Sequence, residues 1–148
     1  MKKPYKILIM GLPGSGKTTL AKELASLMNA VHWNADDVRN NINKDQGFSM
    51  EDRIEQARRM GWLCDNVNKA GYNAIADFVC PTEETRVAFG DCILIYMDTI
   101  KEGRFADTNK LFVPPVTYTW KVMEFDSVNL SKMFSNQITQ LEKLNVGQ

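Results

Sequence analysis

Short apolar runs recur along the chain, and stretches with helical spacing of apolar residues separate them. Apolar runs of this length are typical of parallel strands that are buried on both faces. The runs that predict strands are Tyr5–Met10, Ala30–Trp33, Tyr72–Phe78, Asp91–Met97 and, with looser alternation, Val116–Glu124. We therefore expect five strands.

The intervening stretches predict helices, because their apolar residues fall on one face and their charges on the other. The predicted helices are Lys17–Asn29, Asp36–Ile42, Met50–Ala70, a short one after Pro81, and a terminal one whose apolar stripe runs from Leu130 to Leu144. Strands that alternate with helices favour an α/β fold with a five-stranded, mostly parallel sheet flanked by helices. The length of 148 residues predicts a single domain, residues 1–148.

Charge and cysteine content narrow the class of protein. Lys plus Arg equals Asp plus Glu at 18 each, which argues against strong nonspecific binding to nucleic acid. Cys64, Cys80 and Cys92 show no paired spacing, so neither a zinc site nor structural disulfides are expected. Free thiols suit a reducing cytoplasm. No apolar stretch is long enough for a membrane span, so no membrane partner is expected.

A phosphate-binding motif follows the first strand, and its pattern is G-x-x-x-x-G-K-[ST]. Its glycines let backbone N–H groups point at phosphate oxygens, and the following helix directs its positive end to the same place. The residues expected to bind the nucleotide are Gly11, Leu12, Pro13, Gly14, Ser15, Gly16, Lys17, Thr18 and Thr19. Lys17 is the expected catalytic lysine on the β- and γ-phosphates, and the Thr18 hydroxyl is an expected Mg²⁺ ligand. The motif and its context predict a P-loop nucleoside-triphosphate hydrolase or kinase fold that binds a nucleoside triphosphate with Mg²⁺.

Four ordered blocks between residues 5 and 98 resemble the adenylylsulfate kinase family. They are Asn34–Arg39 against the family's D-G-D-N-V-R, Asn43–Ser49 against N-x-D-L-G-F-S, Glu51–Arg53 against E-D-R, and Ala76–Pro81 against A-S-F-I-S-P. The resemblance implies transfer of the ATP γ-phosphate to the 3′-hydroxyl of adenylylsulfate or a related nucleotide.

The resemblance also implies roles for the matching residues on the acceptor side. Asp36 matches an acid beside the acceptor hydroxyl and the metal, so it is the second expected catalytic residue and metal ligand. Arg39 and Arg53 match arginines that hold the anionic acceptor, and Phe48 matches an aromatic residue that packs on its adenine. The wall of the same pocket is expected to be formed by Phe78 and Val79.

The chain departs from the family pattern in several places. Asn34 replaces the first acid of D-G-D, Gln56 stands where the family has Asn, and Asp77 replaces Ser and would disfavour a nearby anion. The basic lid of the family is replaced by the polar, irregular segment Lys101–Pro115. Arg104 and Lys110 are the expected lid cations there.

Ordinary structural roles compete with several of these assignments. Asp36 could cap a helix, and Phe48 could be a loop anchor. Arg58 and Arg59 are expected on a solvated helix face, and His32 and Cys80 are expected to be structural.

Three functions remain open from the sequence. The leading one is an adenylylsulfate kinase-like enzyme whose partner is a small nucleotide acceptor. The second is a kinase for a nucleoside, modified base or polynucleotide end; a nucleic-acid partner is not favoured. The third is a nucleotide-binding regulatory protein without turnover. A homodimer is compatible with the sequence.

Overall fold

The computed structural model of the chain describes residues 3–146. The side chains of Ser127 and of residues 142–146 are outside the described set, and so is the Leu144 position of the predicted terminal stripe. The strands are β1 (Lys6–Gly11), β2 (Ala30–Asn34), β3 (Asn73–Phe78), β4 (Ile93–Met97) and β5 (Trp120–Val122). The helices are α1 (Lys17–Met28), α2 (Ala35–Asn41), α3 (Met50–Lys69), α4 (Glu83–Phe89), α5 (Ala106–Leu111) and α6 (Ser127–Val146).

The five strands form one sheet in the order β2-β3-β1-β4-β5, and every pair is parallel. This confirms the predicted α/β class and the parallel sheet. β1 lies at the centre, so the loop that follows it opens at the carboxyl edge between β3 and β4. Ligands of open parallel sheets bind at this edge.

Alternate residues of β1 supply the two halves of the core. Ile7 and Ile9 face a cluster formed with α1 and α6, while Leu8 and Met10 face a cluster formed with α3 and α4. Because strand side chains alternate in direction, an uninterrupted apolar run is what a strand covered on both faces requires. None of the described helices is long and apolar enough to cross a membrane.

Helices α3 and α4 cross at a position where no side chain fits. A Cβ added at Gly61 would lie 2.2 Å from the carbonyl oxygen of Phe89. Phe89 is 1% exposed and packs against Phe78 at a ring-centroid distance of 5.7 Å. The close approach at Gly61 therefore places the buried ring of Phe89 under the end of β3.

Two sequence predictions were wrong in extent. Lys101–Pro115 is not irregular throughout, since α5 forms inside it and is anchored by the contact between the rings of Phe112 and Tyr96. The strand predicted over Val116–Glu124 is limited to Trp120–Val122, because only these residues pair with β4. Local pattern does not report either of these tertiary contacts.

Candidate active site

The phosphate-binding loop joins the end of β1 to the start of α1. Gly16 precedes the helix with φ at 99°, and no side chain caps the first turn. The first N–H groups of an uncapped helix lack intrahelical partners and are available to an anion. A Cβ at Gly16 would lie 2.6 Å from the ring of Phe125, so glycine is required here by both conformation and space.

Lys17 is held inside the loop. Its Nζ donates a hydrogen bond of 3.1 Å to the Leu12 carbonyl, and the residue is 9% exposed. Burial lowers the pKa of Lys17, and the carboxylates of Asp77 and Asp36 oppose that shift. The lysine therefore lies between the loop backbone and two acidic groups.

A second contact fixes the loop from the side of β4. The hydroxyl of Thr99 donates to the Ser15 carbonyl at 2.7 Å. The Ser15 hydroxyl is buried and has no hydrogen-bond partner within residues 3–146. Thr19 is exposed. Hydrogen bonds from side chains to loop carbonyls thus help to set the loop geometry.

A cavity of about 490 Å³ opens beside the loop at the carboxyl edge of the sheet. Its phosphate side is lined by Pro13, Gly14, Lys17 and Thr18. Its other side is lined by Asp36, Arg39, Phe48, Arg53, Phe78 and Val79, which are all the residues that the sequence assigned to the acceptor. The remaining loop residues, Gly11, Leu12, Ser15, Gly16 and Thr19, do not line the cavity. The fold therefore brings Lys17 and the acceptor set to one cavity.

Two arginines from different helices converge on Phe48. The Arg39 guanidinium lies 4.5 Å and that of Arg53 5.6 Å from the centroid of the Phe48 ring, which is 70% exposed. Arg39 donates to the Gly47 carbonyl at 2.8 Å, and Arg53 Nε donates to the Phe48 carbonyl at 3.0 Å. These bonds aim the two cations at the cavity and fit the binding of an anion.

The back wall of the cavity follows the end of β3. Phe78 is 8% exposed, and Cys80 is fully buried. Burial raises the pKa of the Cys80 thiol to about 12, so the thiol stays protonated near neutral pH. Cys80 is therefore wall rather than nucleophile.

The capping role considered for Asp36 is wrong. Asn34 is the N-cap of α2, and its side chain accepts a hydrogen bond of 3.0 Å from the Asp37 backbone N–H. Asp36 lies in the first turn, exposed, on the lining of the cavity. Arg58 and Arg59, in contrast, pair with Glu55 on the outer face of α3, as the sequence predicted.

The segment after β4 closes one side of the cavity. Arg104 lines the cavity together with Phe105, Asp107 and Thr108, whereas Lys110 is exposed and is not part of the lining. Asn109 holds the start of the segment through two hydrogen bonds with Gly103, of 2.8 and 2.9 Å. Of the two cations predicted for the lid, the fold thus places Arg104 at the cavity and Lys110 away from it.

Several cavity residues lay outside the predicted site set, among them Gln56 and Asp77. Gln56 is 2% exposed; its Oε1 accepts from Asn43 at 2.7 Å, and its Nε2 has no partner among the described residues. Asp77 is 1% exposed, lines the cavity and is bonded to Thr18. Both residues departed from the family pattern in the sequence, and that departure was the available signal.

The donor atoms near Thr18 suit a hard cation. They are the hydroxyl of Thr18 and the carboxylates of Asp36 and Asp77, all of which line the cavity. Oxygen donors are what Mg²⁺ prefers, with substrate phosphates and water supplying the remaining ligands. No group of three or more His, Cys, Asp or Glu side chains that could hold a metal ion by itself occurs in the described part of the chain.

Curated relatives match part of the chain. Adenylyl-sulfate kinase of Oceanobacillus iheyensis is 43% identical over 81 residues, covering 51% of this chain and 41% of that protein. The bifunctional enzyme CysN/CysC of Rhodopirellula baltica is 34% identical over 97 residues, covering 62% of this chain and 15% of that protein. The chain thus spans less than half the length of either of these relatives.

Solved structures share the fold over nearly the whole chain. The APS kinase CysC of Mycobacterium tuberculosis, in complex with AMPPNP and APS, has a TM-score of 0.84 at 17% identity, covering 94% of this chain and 99% of that one. Shikimate kinase of Acinetobacter baumannii has a TM-score of 0.63 at 14% identity, with 95% and 96% covered. These likenesses confirm the P-loop kinase fold.

A family model described as Adenylylsulphate kinase matches residues 3–102. That range contains the phosphate-binding loop, Asp36, the two arginines at Phe48 and the back wall of the cavity. The chain therefore belongs to the adenylylsulphate kinase family.

Proposed function

We propose that the protein is an ATP-dependent kinase that transfers the γ-phosphate to the 3′-hydroxyl of adenylylsulfate or a closely related nucleotide. One observation carries the proposal: a single cavity joins Lys17 and Thr18 of the loop to Asp36 and the Arg39–Phe48–Arg53 group. A kinase needs a phosphate site and an acceptor site within one transfer distance. Membership of the family supports the choice of acceptor.

Each part of the acceptor has a matching surface in the cavity. The guanidiniums of Arg39 and Arg53 offer N–H donors to a sulfate or phosphate group. The exposed ring of Phe48 and the apolar wall of Phe78 and Val79 suit a purine. We assign these five residues to acceptor binding.

In the proposed reaction, the acceptor hydroxyl oxygen bonds to the γ-phosphorus as the bond to the β–γ bridging oxygen breaks. ADP leaves, and the hydroxyl proton passes to Asp36 or to solvent. Lys17 and the N–H groups at the start of α1 stabilise the charge on the transferring group. Asp36 orients the attacking hydroxyl.

Mg²⁺ would neutralise charge on the β- and γ-phosphates when bound. Thr18 would hold Mg²⁺ through its hydroxyl. The carboxylate that the sequence resemblance assigned to the metal is that of Asp36. Arg104 borders the same space and would add a cation over the phosphates, while Lys110 would need a movement of the segment to do so.

A different acceptor is favoured by one feature of the cavity. Asp77 and Asp107 both line it, and the charge of Asp107 acts on Arg53. Added carboxylates reduce the attraction of the site for a strongly anionic acceptor. A nucleoside, modified base or polynucleotide end is therefore the second candidate. A regulatory protein without turnover is disfavoured by the presence of both Lys17 and Asp36.

The test is a parallel transfer assay with γ-labelled ATP and Mg²⁺. Adenylylsulfate, a nucleoside panel and single-stranded DNA with a 5′-hydroxyl end are the acceptors, and water is the control. Preferred labelling of adenylylsulfate supports the proposal. Preferred labelling of another acceptor replaces it, and the absence of label in every acceptor favours the regulatory function.

The cellular setting and assembly follow as proposals. Cys64 and Cys80 are buried free thiols, which suits the cytoplasm. A single kinase domain and a homodimer remain predictions. Limited proteolysis tests the first, and light scattering with and without nucleotide tests the second.

A further inference from the structure

The Asp77 side chain lies in the phosphate site, although the sequence resemblance gave it no role there. In the parallel register, Asp77 of β3 stands opposite Asn34 of β2 on one side and Ile9 of β1 on the other. β3 is hydrogen-bonded to the strand that leads into the phosphate-binding loop. The side chain therefore lies at the carboxyl edge, next to the start of α1.

The contacts of Asp77 all involve polar side chains of the site. Its Oδ1 accepts from the Thr18 hydroxyl at 2.9 Å and from Asn34 Nδ2 at 3.1 Å. Its Oδ2 is bonded to His32 Nε2. Asn34 Nδ2 also reaches the Thr18 hydroxyl, at 3.2 Å. The carboxylate is thus clamped by β2 with one oxygen turned to Thr18.

The two departures from the family pattern form one exchange. At the end of β2 the family has an acid and this chain has Asn34. Near the end of β3 the family has Ser and this chain has Asp77. The two positions are register partners and are hydrogen-bonded. One carboxylate has been lost from β2 and one gained on β3, both within reach of Thr18.

We propose that Asp77, together with Thr18, forms the protein's side of the divalent-cation site, with His32 and Asn34 as positioning residues. This rests on the proposed function and deepens it: Asp36 keeps the role on the acceptor hydroxyl, and the carboxylate that supports the metal is Asp77. A purely structural role would be a costly way to join two strands, since burying a carboxylate rarely stabilises a protein more than apolar packing does. A purely structural role would also leave the hydrogen bond between Thr18 and Asp77 unexplained.

The experiment measures binding of a non-hydrolysable ATP analogue by calorimetry, with Mg²⁺ and with EDTA. The ratio of the two affinities is the metal increment, and it does not depend on any acceptor. We expect Asp77→Asn to reduce the increment at least tenfold while the affinity in EDTA changes less than threefold. Asp98→Asn is the matched control, because Asp98 follows β4 on the other side of β1 and lies outside the cavity. An unchanged increment in Asp77→Asn overturns the proposal.

An exchange variant separates the metal role from a structural one. Asp77→Ser should lose the increment, and the double variant Asn34→Asp with Asp77→Ser should regain it, since the carboxylate returns within reach of Thr18 from the neighbouring strand. A folded double variant without an increment counts against the proposal. Thermal unfolding of each variant accompanies the titrations.

A structure of the wild-type protein with Mg²⁺ and the analogue decides the matter if the variants fail to fold. Asp77 bound to the ion directly, at about 2.1 Å, or through one water supports the proposal, and Asp77 bonded to His32 alone with the ion elsewhere refutes it. Failure of the proposed kinase function would instead appear as an intact increment without phosphate transfer to any acceptor. The two ideas can therefore fail separately.

Discussion

The phosphate side and the acceptor side of the cavity are built differently. On the phosphate side, hydrogen bonds to loop carbonyls hold the lysine in place: Lys17 is 9% exposed and bonded to the Leu12 carbonyl. On the acceptor side, long side chains from α2 and α3 meet over Phe48, whose ring is 70% exposed. The phosphate side is set before any ligand binds, whereas the acceptor side is made of partly exposed side chains held by hydrogen bonds to loop carbonyls.

This difference separates what the two sides control. In the proposed reaction, the buried lysine would stabilise the transferring phosphate electrostatically, which acts on the rate. The partly exposed cations and the aromatic ring would each bind the acceptor with modest energy, which acts on affinity and on choice of acceptor. Variants on the two sides should therefore change different kinetic constants.

The largest effect is expected for Lys17→Ala. Removal of a buried donor to the transferring phosphate should lower kcat by about 100- to 1,000-fold, with the fold intact because the lysine's one hydrogen bond to protein is to Leu12. Steady-state transfer and thermal unfolding measure the two quantities. Lys22→Ala, an exposed lysine on the same helix, is the control. A loss of less than about tenfold, or 1.4 kcal/mol, would contradict the role.

The next effect is expected for Asp36→Asn. Loss of the group that orients the acceptor hydroxyl should lower kcat by about 100-fold, and the dissociation constant of the ATP analogue should stay within about threefold. Rapid-quench transfer and calorimetry give the two values. The assignment fails if analogue binding collapses while kcat is preserved.

A smaller effect, on the acceptor side alone, is expected for Arg53→Ala. One charge-assisted hydrogen bond is worth about 1.5–3 kcal/mol, so the acceptor KM should rise about 10- to 100-fold while the KM for ATP does not change. Arg58→Ala on the same helix, where the guanidinium pairs with Glu55, should leave both constants unchanged. Equal rises in both constants would remove the distinction between the two sides.

The smallest effect is expected in the segment Glu102–Pro115, which borders both sides. Hydrogen exchange at Glu102, Arg104 and Phe105 should be fast in the free protein and at least about tenfold slower, a change of 1.4 kcal/mol, with nucleotide and acceptor bound, as expected for a lid. Helix α5 is the internal reference, because Thr108 is buried and should already be protected. Equal, strong protection of Glu102, Arg104 and Phe105 in both states would exclude a lid.

The phosphate side could be predicted from sequence because it depends on contiguous residues. The apolar run of β1, the glycine spacing and the stripe of α1 are local, and each was found where the sequence placed it. Asp36, Arg39, Phe48 and Arg53 were located through ordered blocks rather than through spacing. Their meeting in one cavity depends on how α2 and α3 pack, which no local pattern specifies.

The features that the sequence left open or misjudged share a physical cause. Asp77 reaches Thr18 only because β3 pairs with β1 in one register, and the two residues are 59 positions apart along the chain. Helix α5 is short and polar, and it depends on the Phe112–Tyr96 contact and on the bond from the Val113 N–H to the Pro81 carbonyl. The spacing of apolar residues along the sequence does not report contacts of this kind.

The crossing at Gly61 has a consequence for anyone who surveys this protein by random substitution. With the Phe89 carbonyl 2.2 Å from where the smallest side chain would begin, every replacement at Gly61 forces two helices apart. Phe89 would follow and withdraw support from Phe78 at the end of β3. A survey scored on growth or turnover would then rank Gly61 beside Lys17, although Gly61 lies outside the cavity. Scoring protein abundance in parallel would tell the two apart.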